Sequence, residues 1–243
     1  MLMDDYAGII SRAIEDILGS QREKLLAAAE LVSRVIEQDG LIYIFGCGHS
    51  HILAEECFYR AGGLANTVPI LYEPLMLHRG AAESSRLEKQ SGLAETVLES
   101  YTITEKDMLF CLSTSDKNAV PVELAAKARA MGIPVVGIGS GAYAEDPVHN
   151  AEGKHLHELC ELWIDNMAPH GDACLHPEGA KVPMTPLSTV TGAFLLNSIL
   201  AEGTQLALDR GVEVPVYLSG NIEGGAEFNR RLIERYSPRI PHL

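Results

Sequence analysis

Five short apolar runs alternate with segments of helical periodicity along the middle of this chain. Helical patterns lie near 51–61, 92–101 and 119–131, and the connection over 142–160 has a less regular pattern. Strands that alternate with helices form parallel βαβ units, and runs that are apolar on both faces indicate a sheet covered on both sides. The sequence therefore predicts an α/β fold with a five-stranded parallel sheet, its strands at 41–46, 67–72, 108–113, 134–138 and 161–165.

Helical patterns also lie on either side of this alternation. Residues 4–38 carry two apolar stripes, and Gly19 followed by Ser20 and Glu23 predicts that one helix ends and a second begins there. The strongly apolar segment 187–208 predicts a helix that is buried all round.

Two stretches, 73–91 and 166–187, have no clear periodicity and are predicted to be long irregular loops, which are often functional. A last short helix is predicted over 226–236. We interpret the 243 residues as a single domain, with N-terminal helices, an α/β core and a C-terminal extension over 1–39, 40–210 and 211–243.

Composition excludes several classes of protein. The formal net charge of −14 argues against nucleic acid or an anionic membrane as a partner, since both attract clustered lysine and arginine. No run approaches the ~20 apolar residues of a membrane span, and the acidic start does not resemble a secretory signal. The five cysteines are odd in number and show no C-x-x-C spacing, which favours the cytoplasm.

Two turns rich in small and hydroxyl residues follow the first and third apolar runs. The first is Gly46-Cys47-Gly48-His49-Ser50, and the second is Ser113-Thr114-Ser115-Asp116-Lys117-Asn118. In the strand order 2-1-3-4-5 the first and third strands are neighbours, and ligands bind where the direction of the sheet order reverses. Helix N-termini that follow such turns bind anions. The two turns are therefore predicted to form one anion site.

The same residues have ordinary alternative interpretations. Gly46, Gly48 and Ser50 could form a plain tight turn, or a dinucleotide fingerprint that lacks its third glycine because His51 stands there. The hydroxyls of the second turn are also typical N-caps, but one cap does not account for all of Ser113, Thr114, Ser115 and Asn118.

Candidate acid–base residues are identified by their positions near the two turns and in the long loops. Glu55 and Glu56 lie one turn into the helix after the first turn, and only one can face the crevice; we favour Glu56 as a general base. His78, His170 and His176 lie in the long loops and could assist proton transfer, with His78 and His170 preferred. No histidine pair, including His155 and His157, has a familiar ligand spacing, so neither a metal nor another cofactor is predicted.

At the two turns the sequence resembles the sugar isomerase (SIS) domain family, whose marks are G-x-G-x-S after the first strand and S-x-S after a later strand. The resemblance implies a three-layer α/β/α sandwich, homodimers or homotetramers, and a sugar-phosphate ligand. Ser50, Ser113, Thr114 and Ser115 match ligand-binding positions, and Asn118 stands where a hydroxyl residue is common. Asp116 replaces the usual glycine and adds a negative charge to the second turn.

Ala54-Glu55-Glu56 is similar to the phosphoheptose isomerase branch of the family, although it lies several residues closer to the turn, and the tail resembles a poorly characterised phosphosugar-isomerase-like subgroup. The resemblance implies an aldose–ketose isomerase that acts through an enediolate. A non-catalytic phosphosugar sensor, a sugar-phosphate lyase and a deaminase remain alternatives on the same fold.

Overall fold

A five-stranded parallel sheet forms the centre of the computed structural model, which describes all residues from 1 to 243. Its order is β2-β1-β3-β4-β5, so the predicted fold and topology are confirmed. Every residue of β1, β2, β3 and β4 is buried. The strands are β1 (Ile42–Gly46), β2 (Thr67–Ile70), β3 (Met108–Leu112), β4 (Val135–Gly139) and β5 (Leu162–Asp165).

Helices cover both faces of this sheet, because alternate residues of each strand point into two separate apolar clusters. Ile42, Ile44 and Phe110 face one cluster, which includes residues of α1, α2 and α6. Tyr43 and Leu109 face the other, which includes residues of α4, α5 and α7. The helices are α1 (Leu2–Glu37), α2 (His51–Cys57), α3 (Leu77–Leu87), α4 (Leu93–Leu98), α5 (Ala119–Ala130), α6 (Ser188–Asp209) and α7 (Gly225–Tyr236).

The N-terminal region is one helix and not two, so the predicted break at Gly19 is wrong. The Ser20 hydroxyl donates to the carbonyl of Asp16 at 2.6 Å and caps no second helix. The buried stripe of α1 continues beyond the exposed Gly19 to Gln21, whose side-chain amide exchanges two hydrogen bonds with the backbone of Asp165 at 2.7 and 2.8 Å. A helical glycine costs about 1 kcal/mol relative to alanine, which is less than the loss of these contacts.

Helix α6 is buried on one face only, although its sequence predicts burial all round. Leu195, Leu196 and Ile199 lie in the core, whereas Glu202 and Leu208 are exposed. Helix α1 covers the buried face at close range. The contact requires a small residue on α6, because a Cβ at Gly203 would lie 2.5 Å from the side chain of Val32.

Both segments predicted to be irregular contain regular structure. Helix α3 lies within 73–91, with a non-helical glycine at Gly80, and Ser84 is its one buried residue. The segment 166–187 holds an antiparallel hairpin of β6 (Ala173–Leu175) and β7 (Met184–Pro186). The connection over 142–160 contains only short 3-10 turns.

The C-terminal segment is part of the core. Tyr217, Leu232, Tyr236 and Ile240 are buried in the same cluster as Tyr43 of β1. Leu64 also forms an isolated antiparallel bridge to Val216. Residues 211–243 therefore complete one face of the sheet. No helix of the chain combines the length and the apolar character that crossing a membrane requires.

Candidate functional site

A crevice of about 220 Å³ lies where the two sequence turns meet, at the carboxyl ends of β1 and β3. These strands are hydrogen-bonded neighbours, with Gly46 opposite Leu112. The crevice therefore lies at the topological switch point of the sheet, where open α/β folds bind ligands. Its walls are formed by Cys47, His49, Ser50, Glu88, Leu112, Ser113, Thr114, Ser115, Asn118, Pro121, Tyr143, Asp172 and Ser188.

The first turn brings the backbone of α2 against the end of β1. A Cβ at Gly46 would lie 2.6 Å from the carbonyl carbon and Cβ of Ser50, so only glycine fits there. Gly48 has a φ of +54°, in the left-handed region that favours glycine. These two glycines hold Ser50 at the crevice wall.

The second turn contains unpaired backbone donors, and three of the four residues that carry them line the same crevice. No backbone carbonyl of the chain accepts a hydrogen bond from the N–H groups of Thr114, Ser115, Lys117 and Asn118. Asn118 is at the N-cap position of α5, but its side chain makes no capping bond. Free N–H groups at a turn and at a helix N-terminus, with hydroxyls beside them, form a concave site for an anion.

Asp116 does not face this crevice, although it belongs to the second turn. Its φ of +60° turns the side chain to the opposite side, where it is fully buried. Its carboxylate accepts hydrogen bonds from the indole N–H of Trp163 at 3.0 Å and from the His157 backbone at 3.2 Å. Burial raises the pKa of Asp116, and contact with the His157 imidazole opposes that shift. The extra negative charge of the turn is therefore directed away from the anion site.

Two carboxylates, those of Asp172 and Glu88, also line the crevice. Asp172 accepts hydrogen bonds from the backbone N–H groups of Leu187 and Ser188, at 3.0 and 2.8 Å, and from the Ser188 hydroxyl at 2.6 Å, so it caps the start of α6. Glu88 follows the end of α3 and is partly buried. Burial raises the pKa of Glu88, an effect that the Lys89 ammonium only partly opposes. A carboxyl whose pKa is raised in a cleft is a candidate acid–base group.

The predicted catalytic residues are not brought together at the crevice. Glu56 of α2 pairs with Arg60, which follows that helix, and neither Glu56 nor the exposed His78 lies among the crevice walls. His170 stacks on Tyr143 with 4.3 Å between ring centroids and contacts Asp146 at 3.2 Å. His170 therefore lies beside a crevice wall, and the catalytic roles of Glu56, His78 and His170 stay predictions.

Sequence reasoning missed five polar side chains of the crevice: His49, Glu88, Tyr143, Asp172 and Ser188. His49 lies inside the first turn and could have been inferred from its neighbours. Glu88 and Tyr143 lie in segments without clear periodicity. They reach the crevice only because α3 and the turn after β4 fold against the carboxyl ends of the strands, which no local pattern specifies.

Comparisons with known proteins agree with this architecture. The family model described as "SIS domain" matches residues 5–140. Among curated proteins, a UPF0309 protein of Geobacillus thermodenitrificans is 45% identical over 243 residues, covering 100% of this chain and 98% of the relative. A UPF0309 protein of Halalkalibacterium halodurans is also 45% identical, covering 100% of this chain and 97% of the relative.

Solved structures share the fold at low sequence identity. A phosphoheptose isomerase from Neisseria gonorrhoeae has a TM-score of 0.53 and 16% identity, covering 85% of this chain and 99% of its own. One from Francisella tularensis has a TM-score of 0.54 and 11% identity, with 84% and 96% covered. The Vibrio vulnificus NanR protein complexed with ManNAc-6P has a TM-score of 0.52 and 16% identity, with 97% and 69% covered.

Proposed function

Because this chain belongs to the SIS domain family, we propose that it binds a sugar phosphate in the crevice and interconverts its aldose and ketose forms. The observation that carries the proposal is the set of free N–H groups on Thr114, Ser115, Lys117 and Asn118 beside three hydroxyls. Helix N-termini favour negative charge, so the phosphate is assigned to this turn. Of the three solved structures compared above, two are phosphoheptose isomerases and one is a complex with ManNAc-6P.

The phosphate would be held by dipoles, because no lysine or arginine side chain lines the crevice. The second turn and the N-terminus of α5 supply these dipoles, so binding does not require a lysine or arginine side chain. The sugar carbons would then extend toward Glu88. Binding the phosphate away from the reacting carbons positions them, which is a large source of rate in enzymes.

We assign the general base to Glu88 in place of Glu56. Its carboxylate would take the proton from the carbon next to the carbonyl, giving an enediolate, and return that proton to the neighbouring carbon. The raised pKa of Glu88 brings it closer to neutral pH, which suits a group that both accepts and donates a proton. His49 lines the same crevice and His170 lies beside Tyr143; one of them would move a proton during ring opening.

The test combines binding with turnover. Thermal unfolding is measured with aldose, ketose, amino-sugar and N-acetylamino-sugar phosphates, and with the unphosphorylated sugars as controls. A ligand at 100 times its Kd adds about 2.7 kcal/mol to the free energy of unfolding. Only phosphorylated sugars are expected to raise Tm, and Ser113→Ala combined with Ser115→Ala should reduce the rise. The exposed Ser11→Ala on α1 is the matched control. If no sugar phosphate raises Tm, the proposed ligand is wrong.

Turnover of a bound sugar phosphate then tests the base. Glu88→Gln is expected to lower kcat by roughly 10²–10⁴ with little change in binding, since general bases contribute that much. Glu56→Gln is the paired variant, and normal turnover in it together with loss in Glu88→Gln supports the assignment. The opposite pattern would restore Glu56 as the base.

The second candidate is a binding protein that leaves its sugar phosphate unchanged. This candidate is favoured by the small number of free carboxylates in the crevice. Asp172 is already engaged at the N-terminus of α6, so Glu88 is the crevice carboxylate that remains available as a base, and without its action the site would only bind. If sugar phosphates bind and none is converted, isomerised, cleaved or deaminated, the sensor interpretation replaces the isomerase.

We further propose a cytoplasmic homodimer. All five cysteines are free thiols, which agrees with a reducing compartment. Met1 is exposed before α1, Leu2 and Met3 are exposed in its first turn, and β7 exposes Met184. Apolar surface is therefore available at the end of α1 that contacts the hairpin. Light scattering after size-exclusion chromatography would give the mass in solution, and a mass near 26 kDa would contradict the dimer.

A further inference from the structure

Three donor side chains converge behind the second turn, on the side away from the crevice. Their ligand atoms, one each from Asp116, His155 and His157, all lie within 4.8 Å of one another. The set joins the second turn to a segment about 40 residues further along the chain. None of the three belongs to the crevice wall, so the cluster is separate from the proposed sugar-phosphate site.

The carboxylate of Asp116 is oriented as a ligand with one oxygen already occupied. Oδ1 accepts hydrogen bonds from Trp163 Nε1 at 3.0 Å and from the His157 backbone at 3.2 Å. Oδ2 is left facing the two imidazoles. Carboxylates that bind metal ions are commonly held in this way by further hydrogen bonds.

His155 has a ring nitrogen without a hydrogen-bond partner in a buried position. Its Nε2 lies 3.1 Å from the carbonyl of Asp146, to which it donates, so the neutral ring carries a lone pair on Nδ1. Nδ1 makes no hydrogen bond, lies 3.6 Å from Asp116 Oδ2, and belongs to a side chain that is only 10% exposed. A lone pair and a carboxylate oxygen repel each other in a buried site unless a cation lies between them.

His157 completes the set from the solvent side. Its Nδ1 contacts Asp116 Oδ2 directly, and its ring stacks on that of His155 with 5.1 Å between centroids. The side chain is 34% exposed, so it has room to withdraw from the carboxylate by about 1 Å, the distance an ion between them would require. We propose that Asp116, His155 and His157 bind one divalent transition-metal ion.

The donor types and spacing fit such an ion. Two imidazole nitrogens and one carboxylate oxygen suit Zn²⁺, Fe²⁺ or Co²⁺ better than Mg²⁺ or Ca²⁺, which prefer oxygen. Ligands about 2.0–2.2 Å from a tetrahedral ion are roughly 3.3–3.6 Å apart, close to the separation of His155 Nδ1 and Asp116 Oδ2. Three protein ligands leave a fourth position for water on the side of His157. The ion would fasten the second turn to the segment before β5.

Zinc binding to the full-length protein is the test, and it is made without any sugar so that it does not depend on the proposed function. The protein is stripped with a chelator, dialysed and titrated with Zn²⁺ by calorimetry, with bound metal counted by elemental analysis. One ion per chain is expected. Saturation at 100 times Kd should raise Tm by roughly 5–10 °C.

Variants locate the ion. His155→Gln, His157→Gln and Asp116→Asn should each weaken Zn²⁺ binding at least tenfold, whereas the exposed His149→Gln and His176→Gln should not. If the buried variants fail to fold, His157→Gln decides, because that side chain is partly exposed. Binding at the level of dialysed background, or equal binding in His157→Gln and wild type, would overturn the proposal.

Discussion

Replacing Gly46 by alanine tests whether the first turn depends on close backbone contact. The added Cβ would lie 2.6 Å from the Cβ and the carbonyl carbon of Ser50, and 2.7 Å from its carbonyl oxygen. Two of these three atoms are backbone, so rotation of a side chain cannot relieve the contacts. The start of α2 would have to move away from the end of β1 by about 1 Å, since carbon atoms pack at ~3.5–4.0 Å.

The expected loss of stability follows from this displacement. Overpacking of a dense interior costs about 1–3 kcal/mol. At roughly 2–4 °C per kcal/mol for a domain of this size, Gly46→Ala should lower Tm by roughly 2–12 °C. Because Ser50 moves with α2, the variant should also lose much of any stabilisation by sugar phosphates.

Differential scanning fluorimetry with and without ligand measures both effects. The matched control is Gly220→Ala, because nothing lies within 4 Å of a Cβ at Gly220 and its φ is not in the left-handed region. The control should melt within about 1 °C of wild type, as unconstrained surface substitutions do. A Gly46→Ala protein that melts like the control and binds ligand normally would refute the reasoning.

Three further predictions use other parts of the fold. Gly19 is exposed within α1, and nothing lies near a Cβ added there, so Gly19→Ala should raise the free energy of unfolding by about 0.5–1 kcal/mol in a urea titration. A decrease would mean that α1 needs a break at this position. The buried Leu41 N–H donates to Asp107 Oδ1 at 2.6 Å, and Asp107→Ala, which removes this acceptor, should lower the free energy of unfolding by about 1–3 kcal/mol in the same titration. Asp107→Asn is the milder control, and an equal loss of stability in the two variants would contradict the assignment. Burial raises the pKa of Glu88, so its charged form opposes folding, and wild type loses stability as pH rises through the folded pKa. The Tm of Glu88→Gln relative to that of wild type should therefore rise between pH 4 and pH 7. A Tm difference that does not change with pH would be evidence against a buried charge.

The sheet and the location of the crevice were predictable because their signals are local. The first four apolar runs form strands that are buried on both faces, and each small-residue turn follows its strand directly, so alternation and topology were sufficient to bring Ser50 and Ser113 together. The continuity of α1 was not predictable in this way. Gly19 is a local signal for a break, and tertiary contacts of α1 with β5 and α6 override it.

The chemistry around the turns depends on orientation, which the sequence does not encode locally. Asp116 stands among anion-binding residues, and only its left-handed backbone turns its carboxylate to the rear. Its contact with His157 joins residues 41 positions apart. Glu88 likewise reaches the crevice through the placement of α3 in the fold, which no local pattern specifies.

The burial of the C-terminal segment has a consequence for how the protein folds as it is made. One face of the sheet is closed by Tyr217, Leu232, Tyr236 and Ile240, which are synthesised after all five strands. Asp39, just before β1, likewise receives hydrogen bonds from Arg235 and Arg239. The part of this face that these four residues cover must therefore stay exposed on the nascent sheet until synthesis has reached Ile240. Interruption of translation before that point would leave an apolar surface open to aggregation.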